Sequence, residues 1–145
     1  MINLDNLLRR RFVAVTVRGT SMWPAYDDGD RILVRRDLAP ALGRVVVVER
    51  PTVGARWSTE PVPAAARAAV ISGREWLIKR VAATPGDPVP RERVPSLAQV
   101  PDDRVPPGQL VLLGDNARAS FDSRLVGYFP AERVLGAVLR TLPRR

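Results

Sequence analysis

The sequence predicts one β-rich domain, and three observations lead to this prediction. A chain of 145 residues fits a single domain with a buried core. Several short stretches alternate apolar and polar side chains with period two, or run as β-branched clusters, which is typical of strands. The 14 prolines and 10 glycines favour short elements joined by turns, and no heptad repeat is present.

Each element follows from its own pattern. Val13, Val15 and Val17 alternate with their neighbours from Phe12 onward, and Gly19 is expected to end this strand. The segment PAYDDGD at 24–30 predicts a turn in which a glycine supplies backbone freedom. Further strands are expected at 31–35, 43–49, 75–83, 109–113 and 131–140, and short helices are compatible with 2–10 and 64–70.

The same patterns divide the single domain, residues 1–145, into parts. Residues 85–107 hold seven of the 14 prolines, so a regular sheet interior is not expected there. We therefore expect an N-terminal segment at 1–11, a core at 12–50, 75–84 and 109–140, an exposed loop or insertion at 51–74, and a Pro-rich excursion at 85–108.

The composition removes most of the catalytic repertoire. The chain has 22 arginines, a single lysine (Lys79), and neither histidine nor cysteine. Without imidazole or thiol there is no Ser-His-Asp or Cys-His catalysis, no Cys/His zinc site and no disulfide. We expect no metal and no cofactor, and a general base must be Asp, Glu, Tyr, a chain terminus or Lys79.

The charge and hydropathy of the chain limit which partners and which cellular location are expected. A net charge of +8 suits anionic partners, but arginine is scattered along the chain, so no nucleic-acid partner is expected. No apolar stretch approaches the roughly 18 to 20 residues that span a bilayer, and the N-terminus is not typical of a signal peptide. We therefore expect a soluble, cytoplasmic protein with no transmembrane anchor.

Ser21 is the first candidate for chemistry. It stands at a strand-to-turn junction after Gly19 and before Met22-Trp23-Pro24. A serine there exposes its hydroxyl beside backbone N–H groups, as a nucleophile with an oxyanion hole requires. The local sequence alone nevertheless favours a turn serine that hydrogen-bonds its own backbone.

Lys79 is the second candidate. Strand geometry places it on one face with Leu77 and Val81. Burial on such a face disfavours the charged form and lowers the pKa of an amine, whereas arginine stays charged. The alternative is a lysine whose ammonium group reaches out to water.

The segment GDNARASFDSR at 114–124 concentrates polar groups after a hydrophobic strand. Asp122 and Arg124 could pair and fix the loop, and Ser120 or Ser123 could donate a hydrogen bond to a neutral lysine amine. A solvated polar loop is the simpler interpretation. The acidic residues lack the regular spacing of a calcium loop.

Together these segments resemble the type I signal peptidase family of serine peptidases, which use a Ser-Lys dyad. The resemblance extends from about residue 13 to residue 138, and the four matching segments occur in the order of the family. They are GTSMWPAYDDGDRILV (19–34), GRVVVV (43–48), IKRVAATPGD (78–87) and GDNARASFDSRLVG (114–127).

The resemblance implies a fold and a set of roles. The implied fold is a coiled, barrel-like, antiparallel β structure with a small insertion. The implied roles are Ser21 as nucleophile and oxyanion donor, Lys79 as general base, Ser120 as the group that orients the amine, Met22 and Pro24 as shapers of substrate pockets, and Asp122, Arg124, Asp115 and Asn116 as structural support.

Three departures from the family accompany the resemblance. Arg44 stands where Asp is usual, Ala117 stands where Arg is usual, and an N-terminal membrane anchor is not found. The implied activity is that of a soluble serine endopeptidase that removes a leader, signal-like or propeptide segment. Its substrate would be a peptide or protein precursor bound in extended form and cut after small residues.

Three other hypotheses remain at this stage. One is a peripheral membrane signal peptidase, held by the Leu4, Leu7 and Leu8 face beside Arg9–Arg11 and acting on secretory precursors. Another is a non-catalytic basic binding module on the same fold. A third, a self-cleaving repressor, needs an upstream DNA-binding unit, for which the residues before Ser21 leave little room.

Overall fold

The computed structural model describes residues 11–143 and contains seven strands. The predicted helix at 2–10 and its leucine face lie outside the described residues. The strands are β1 (Phe12–Thr16), β2 (Arg31–Arg35), β3 (Val45–Glu49), β4 (Trp76–Ala83), β5 (Gln109–Leu113), β6 (Phe129–Pro130) and β7 (Val134–Leu142). Two short helices are α1 (Ala68–Ser72) and α2 (Ser123–Val126).

The strands form one curled antiparallel sheet in the order β1-β2-β7-β3-β4-β5-β6. The mostly β, antiparallel prediction is therefore confirmed. The central strand β3 is buried along its whole length, so its valines supply both faces of the sheet with core contacts. One face packs around Val47 and Ile78, and the other packs around Val46, Leu112 and Phe129.

The sheet has two unpaired strand edges that the site uses. β1 is the end strand of the sheet and pairs only with β2. Trp76 to Lys79 of β4 pair with β3 on one side, whereas β5 joins β4 only from Arg80 onward. Within the described ladders, β1 and the first half of β4 thus keep free backbone donors and acceptors.

The Pro-rich excursion carries a small core of its own. Val94, Leu97 and Val105 are buried there against the end of β5. The Arg91 guanidinium donates hydrogen bonds to backbone carbonyls of this segment, including those of Leu97 and Val100. Apart from one isolated antiparallel bridge between Pro88 and Arg104, the segment is held by these contacts rather than by a regular strand ladder, which its prolines would interrupt.

The structure differs from the predicted elements in several places. The last strand, expected at 131–140, runs from Val134 to Leu142, because Ala131–Arg133 form a 3-10 turn before it. The helix expected at 64–70 lies at Ala68–Ser72, where it ends at Gly73. The segment 51–74 is not wholly exposed, because Ile71 is buried in the core and Trp57 packs edge-on against Phe129. Helix α2 and strand β6 were not predicted, since each is too short to show a periodic pattern.

In the part of the chain from residue 11 to residue 143, no helix has the length and apolar character needed to cross a membrane.

Candidate active site

Ser21 lies on the turn that follows β1. The turn depends on Gly19, whose φ of +81° is a left-handed conformation that favours glycine, and whose N–H donates to Asp28 Oδ1 at 2.7 Å. The Ser21 carbonyl accepts a hydrogen bond from the Asn116 N–H at 2.8 Å. This contact joins the turn to the loop after β5, two segments that are far apart in the sequence.

The Ser21 residue is half-buried and keeps its own donors free. Among residues 11–143, neither its backbone N–H nor its hydroxyl makes a hydrogen bond. The turn-serine interpretation therefore does not account for this residue. A free N–H beside a free hydroxyl is the arrangement that acyl transfer requires of a nucleophile and its oxyanion donor.

Lys79 is one of the two largest side chains in the described structure that are almost completely buried, with a relative exposure of 1%. It lies on β4 between Leu77 and Val81, which pack in the same core cluster. The side chain is therefore enclosed by the core rather than extended into solvent. The pKa of Lys79 is lowered from 10.5 to about 8, mainly because burial disfavours the charged amine. The negative charge of Asp122 raises this pKa, whereas the positive charges of Arg124 and Arg50 lower it further.

Gly114 brings the two candidates together. The β4–β5 ladder ends at the pair Arg80–Leu113, and continuing its register by one residue beyond the ladder would put Gly114 opposite Lys79, on the same face. A Cβ atom at Gly114 would lie 2.1 Å from Ser120 Oγ and 2.8 Å from the Ser21 carbonyl oxygen. The backbone of Ser21 and the side chain of Ser120 therefore fill the space beside the lysine.

Asp122 fixes the loop that carries Ser120. This carboxylate is fully buried and accepts hydrogen bonds from Ser120 Oγ at 2.5 Å, from the Gly114 N–H at 2.8 Å and from Arg124 Nη2 at 2.8 Å. Burial alone would raise the pKa of Asp122, but these hydrogen bonds outweigh it and hold the pKa below its ordinary value. Asp122 also caps α2 by accepting from the Arg124 N–H.

Ser120 donates its hydroxyl proton to Asp122 and leaves its oxygen lone pairs to other donors. Among the residues that the structure describes, the Lys79 amine makes no hydrogen bond. Contacts to a general base often tighten only when substrate is bound. The role of Ser120 in orienting the amine stays a prediction.

The other predicted site residues lie around this junction. Met22 is completely buried, and its sulfur accepts the Asp115 N–H at 3.4 Å. Asp115 pairs with Arg80 at 2.8 Å, which lowers the pKa of its carboxyl group, and the Asn116 amide donates to the Thr20 carbonyl. Pro24 is exposed after a cis peptide bond. The pocket-shaping roles of Met22 and Pro24 stay predictions.

A groove of about 210 Å³ opens beside Ser21. Its walls come from the two unpaired strand edges, with Val15 to Arg18 on one side and Trp76 to Ile78 on the other. Its floor is formed by two buried core side chains, Ile32 and Val47. The groove is therefore narrow, apolar and bordered by free backbone hydrogen-bonding groups.

Sequence reasoning missed some residues that organise the site. The polar side chains of the segment at 114–124 give no reason to single out Gly114, although a side chain there would collide with both Ser120 and Ser21. Arg50 lies with its Cζ 4.9 Å from the centre of the Phe121 ring and acts on Lys79 through its charge. The sequence signal for Gly114 is instead the Gly-Asp-Asn motif, whereas no local pattern identifies Arg50.

No group of three or more acidic side chains within residues 11–143 is placed to hold a metal ion.

Comparison with known proteins assigns the chain to a class. The family model described as signal peptidase, peptidase S26, matches residues 7–94 and 91–142. The chain is also 28% identical, over 163 aligned positions, to the probable signal peptidase I-1 of Synechocystis sp., an alignment that covers 94% of this chain and 76% of that protein. The chain is therefore a serine peptidase, a hydrolase of peptide bonds.

More particularly, the chain belongs to the signal peptidase family, peptidase S26. The resemblance drawn from the four sequence segments is thus confirmed.

Proposed function

We propose that this peptidase uses Ser21 as its nucleophile and Lys79 as its general base to remove a leader, signal-like or propeptide segment from a precursor. The observation that carries the proposal is the position of the only lysine. Lys79 is buried, has its pKa lowered to about 8, and stands opposite the glycine that the Ser21 backbone contacts.

The lowered pKa supports the role of a base. With a pKa of about 8, roughly a tenth of the lysine is neutral at pH 7, against less than a thousandth for an exposed amine. A neutral amine can accept the proton of a serine hydroxyl, which an arginine cannot do. Neither histidine nor cysteine is present to supply another base of suitable pKa.

The chemical steps follow from these groups. The Ser21 oxygen attacks the scissile carbonyl carbon while its proton passes to the Lys79 amine, and the free Ser21 N–H donates to the resulting oxyanion. The intermediate expels the amine of the leaving segment, which takes the proton from Lys79. Water then loses a proton to Lys79 and hydrolyses the acyl-enzyme, which restores both residues.

The groove beside Ser21 supports an extended substrate. Its two walls are unpaired strand edges, so a peptide can add as a strand between them and satisfy the backbone groups of both. Alternate substrate side chains would then point towards the floor at Ile32 and Val47. Because this floor is apolar and the groove is narrow, small apolar residues before the cut fit best.

Substitution of the two residues tests the proposal. Ser21→Ala and Lys79→Ala should each reduce cleavage of a precursor by at least 10³-fold, the scale of losing a nucleophile or its base. Ser21→Ala should also abolish covalent labelling by an acylating inhibitor. Ser72→Ala, a change to an exposed serine on α1, is the matched control and should leave both the cleavage rate and the covalent labelling unchanged.

Lys79→Arg tests the need for a neutral amine separately. It keeps the positive charge but cannot lose its proton near pH 7, so it should be as inactive as Lys79→Ala. Circular dichroism and urea titration of each variant distinguish loss of catalysis from loss of the fold. Full activity of folded Lys79→Arg, or labelling that survives Ser21→Ala, would contradict the proposal.

A further inference from the structure

A second cavity of about 640 Å³ lies beyond Lys79 along β4. The groove beside Ser21 is lined by Trp76 to Ile78, which precede Lys79, whereas the second cavity is lined by Arg80 to Ala82, which follow it. Its walls also include Gly114 and Asp115, next to the backbone contact with Ser21. The two cavities therefore lie on the two sides of the proposed base.

The second cavity is lined by three arginines, two of which already have partners. Arg80 donates to Asp115 at 2.9 and 2.8 Å, and Arg124 donates to the fully buried Asp122 at 3.1 and 2.8 Å. These two pairs cancel their charges locally, and each is held in one geometry by two parallel donors.

Arg93 supplies the remaining charge of the cavity. It is exposed and comes from the Pro-rich excursion. Its side chain forms no ion pair or hydrogen bond with any other residue of the described range 11–143. Nη1 of Arg124 likewise has no acceptor in that range. The cavity thus combines one uncompensated cation with an unused guanidinium donor, which suits a carboxylate.

A bound peptide that continues past Ser21 would reach this cavity within a few residues. Each residue of an extended chain advances about 3.3 Å, and the cavity begins at the strand position next to Lys79. With the acyl part of the substrate in the groove at Trp76 to Ile78, the leaving part runs towards Arg80 and Asp115. Side chains of the leaving segment can therefore approach Arg93.

We propose that this cavity binds an acidic side chain of the precursor in the first residues after the scissile bond, with Arg93 as the specificity-determining residue. The inference rests on the proposed function of Ser21 and Lys79. It identifies the preferred substrates as precursors with Asp or Glu near the start of the released segment.

Cleavage of a peptide library derived from a bacterial proteome tests the inference. The wild-type enzyme, Arg93→Glu and Arg118→Glu are each incubated with the library, and the cuts are mapped by mass spectrometry. Arg118 is the matched control, because it is an exposed arginine of the loop after β5 that lies outside the cavity lining. Ser21→Ala gives the background.

We expect wild type and Arg118→Glu to share a preference for Asp or Glu within the first four positions after the cut. In Arg93→Glu this preference should fall by about twofold to fivefold, the range of one solvent-accessible charge pair, and Lys or Arg should become enriched there. The preference should also weaken in 0.5 M salt.

Two results would overturn the inference: no acidic preference in wild type, or an acidic preference that Arg93→Glu leaves unchanged. Cuts that persist at the same sites in Ser21→Ala would instead overturn the proposed function. A library that wild type leaves uncut would also overturn the proposed function. Failure of the inference and failure of the proposed function therefore give different results.

Discussion

Gly114→Ala is expected to disable the enzyme through a single methyl group. The added Cβ would lie 2.1 Å from Ser120 Oγ, 2.6 Å from Ser120 Cβ and 2.8 Å from the Ser21 carbonyl oxygen. Comfortable contact between such atoms needs roughly 3.5 Å. The Ser21 backbone must therefore recede by several tenths of an ångström, and Ser120 by about 1 Å. Gly114 has no left-handed φ, so steric contact alone causes the effect.

The expected losses follow from these displacements. Misplacement of a reacting group by about 1 Å can cost about 10²-fold in rate, so kcat/KM for precursor cleavage should fall by about that factor. Overpacking of a buried site should lower the free energy of unfolding by about 1 to 3 kcal/mol. The assays are initial rates of cleavage, measured where urea titration shows the variant to be folded.

Two other glycines provide controls for Gly114→Ala. A Cβ at Gly73 would meet nothing nearer than 3.5 Å, so Gly73→Ala should change neither activity nor stability appreciably. A Cβ at Gly136 would lie 2.3 Å from the Arg35 carbonyl oxygen, so Gly136→Ala should lower stability but leave kcat/KM of the folded enzyme near wild type. If Gly114→Ala keeps kcat/KM within threefold of wild type, the steric argument is refuted.

Four further predictions concern the buried charges. Since burial lowers the pKa of Lys79 to about 8, kcat/KM should rise tenfold per pH unit below pH 8 and level off above it; a flat profile between pH 6 and 8 would exclude a base of this pKa. Between about pH 8 and 10.5, Lys79 is mostly neutral in the folded state and mostly protonated in the unfolded state. As pH rises through this range, the free energy of unfolding of wild type should therefore increase by up to roughly 3 kcal/mol relative to that of Lys79→Met, measured by urea titration. Asp122→Asn should lower the free energy of unfolding by about 3 to 5 kcal/mol, because it leaves the Arg124 charge without its buried partner. Because the pKa of Asp122 is lowered in the folded state, wild type should also lose stability as pH falls through that lowered pKa, and Asp122→Asn should not show this loss; equal acid sensitivity of both proteins would contradict this. Glu49, at the end of β3, is the buried partner of Arg74 and Arg133. Glu49→Gln should lower the free energy of unfolding by a similar amount, measured by urea titration, and should leave kcat/KM of the folded enzyme unchanged.

The strands were predictable because each carries its own local pattern. β2, β4 and β5 lie within a residue of their predicted bounds, and valine alternation located β1. Periodicity also placed Lys79 on a face with Leu77 and Val81, which is the face that the core buries. Proline density predicted that residues 85–108 would leave the sheet, and the described strands contain none of them.

The contacts between distant segments were not predictable from local pattern. Nothing near Gly114 in the sequence shows that Ser21, more than 90 residues earlier, fills the space above it. The position of Arg50 over Phe121 and the pairing of Arg80 with Asp115 likewise depend on how the sheet curls. Asp122 was predicted only as a partner of Arg124, since its further bonds to Ser120 and Gly114 are set by loop conformation.

The burial of Lys79 also affects how the protein can be handled chemically. It is the only side-chain amine of the sequence, and just 1% of it is exposed. Reagents that modify lysine should therefore react slowly with Lys79 in the folded domain and much faster when β4 opens. The extent of Lys79 modification over time would then report the opened fraction of the molecule directly. Lysine-directed cross-linkers should therefore not capture substrates through Lys79 of the native enzyme, and carboxylate- or arginine-directed reagents are the more suitable choice.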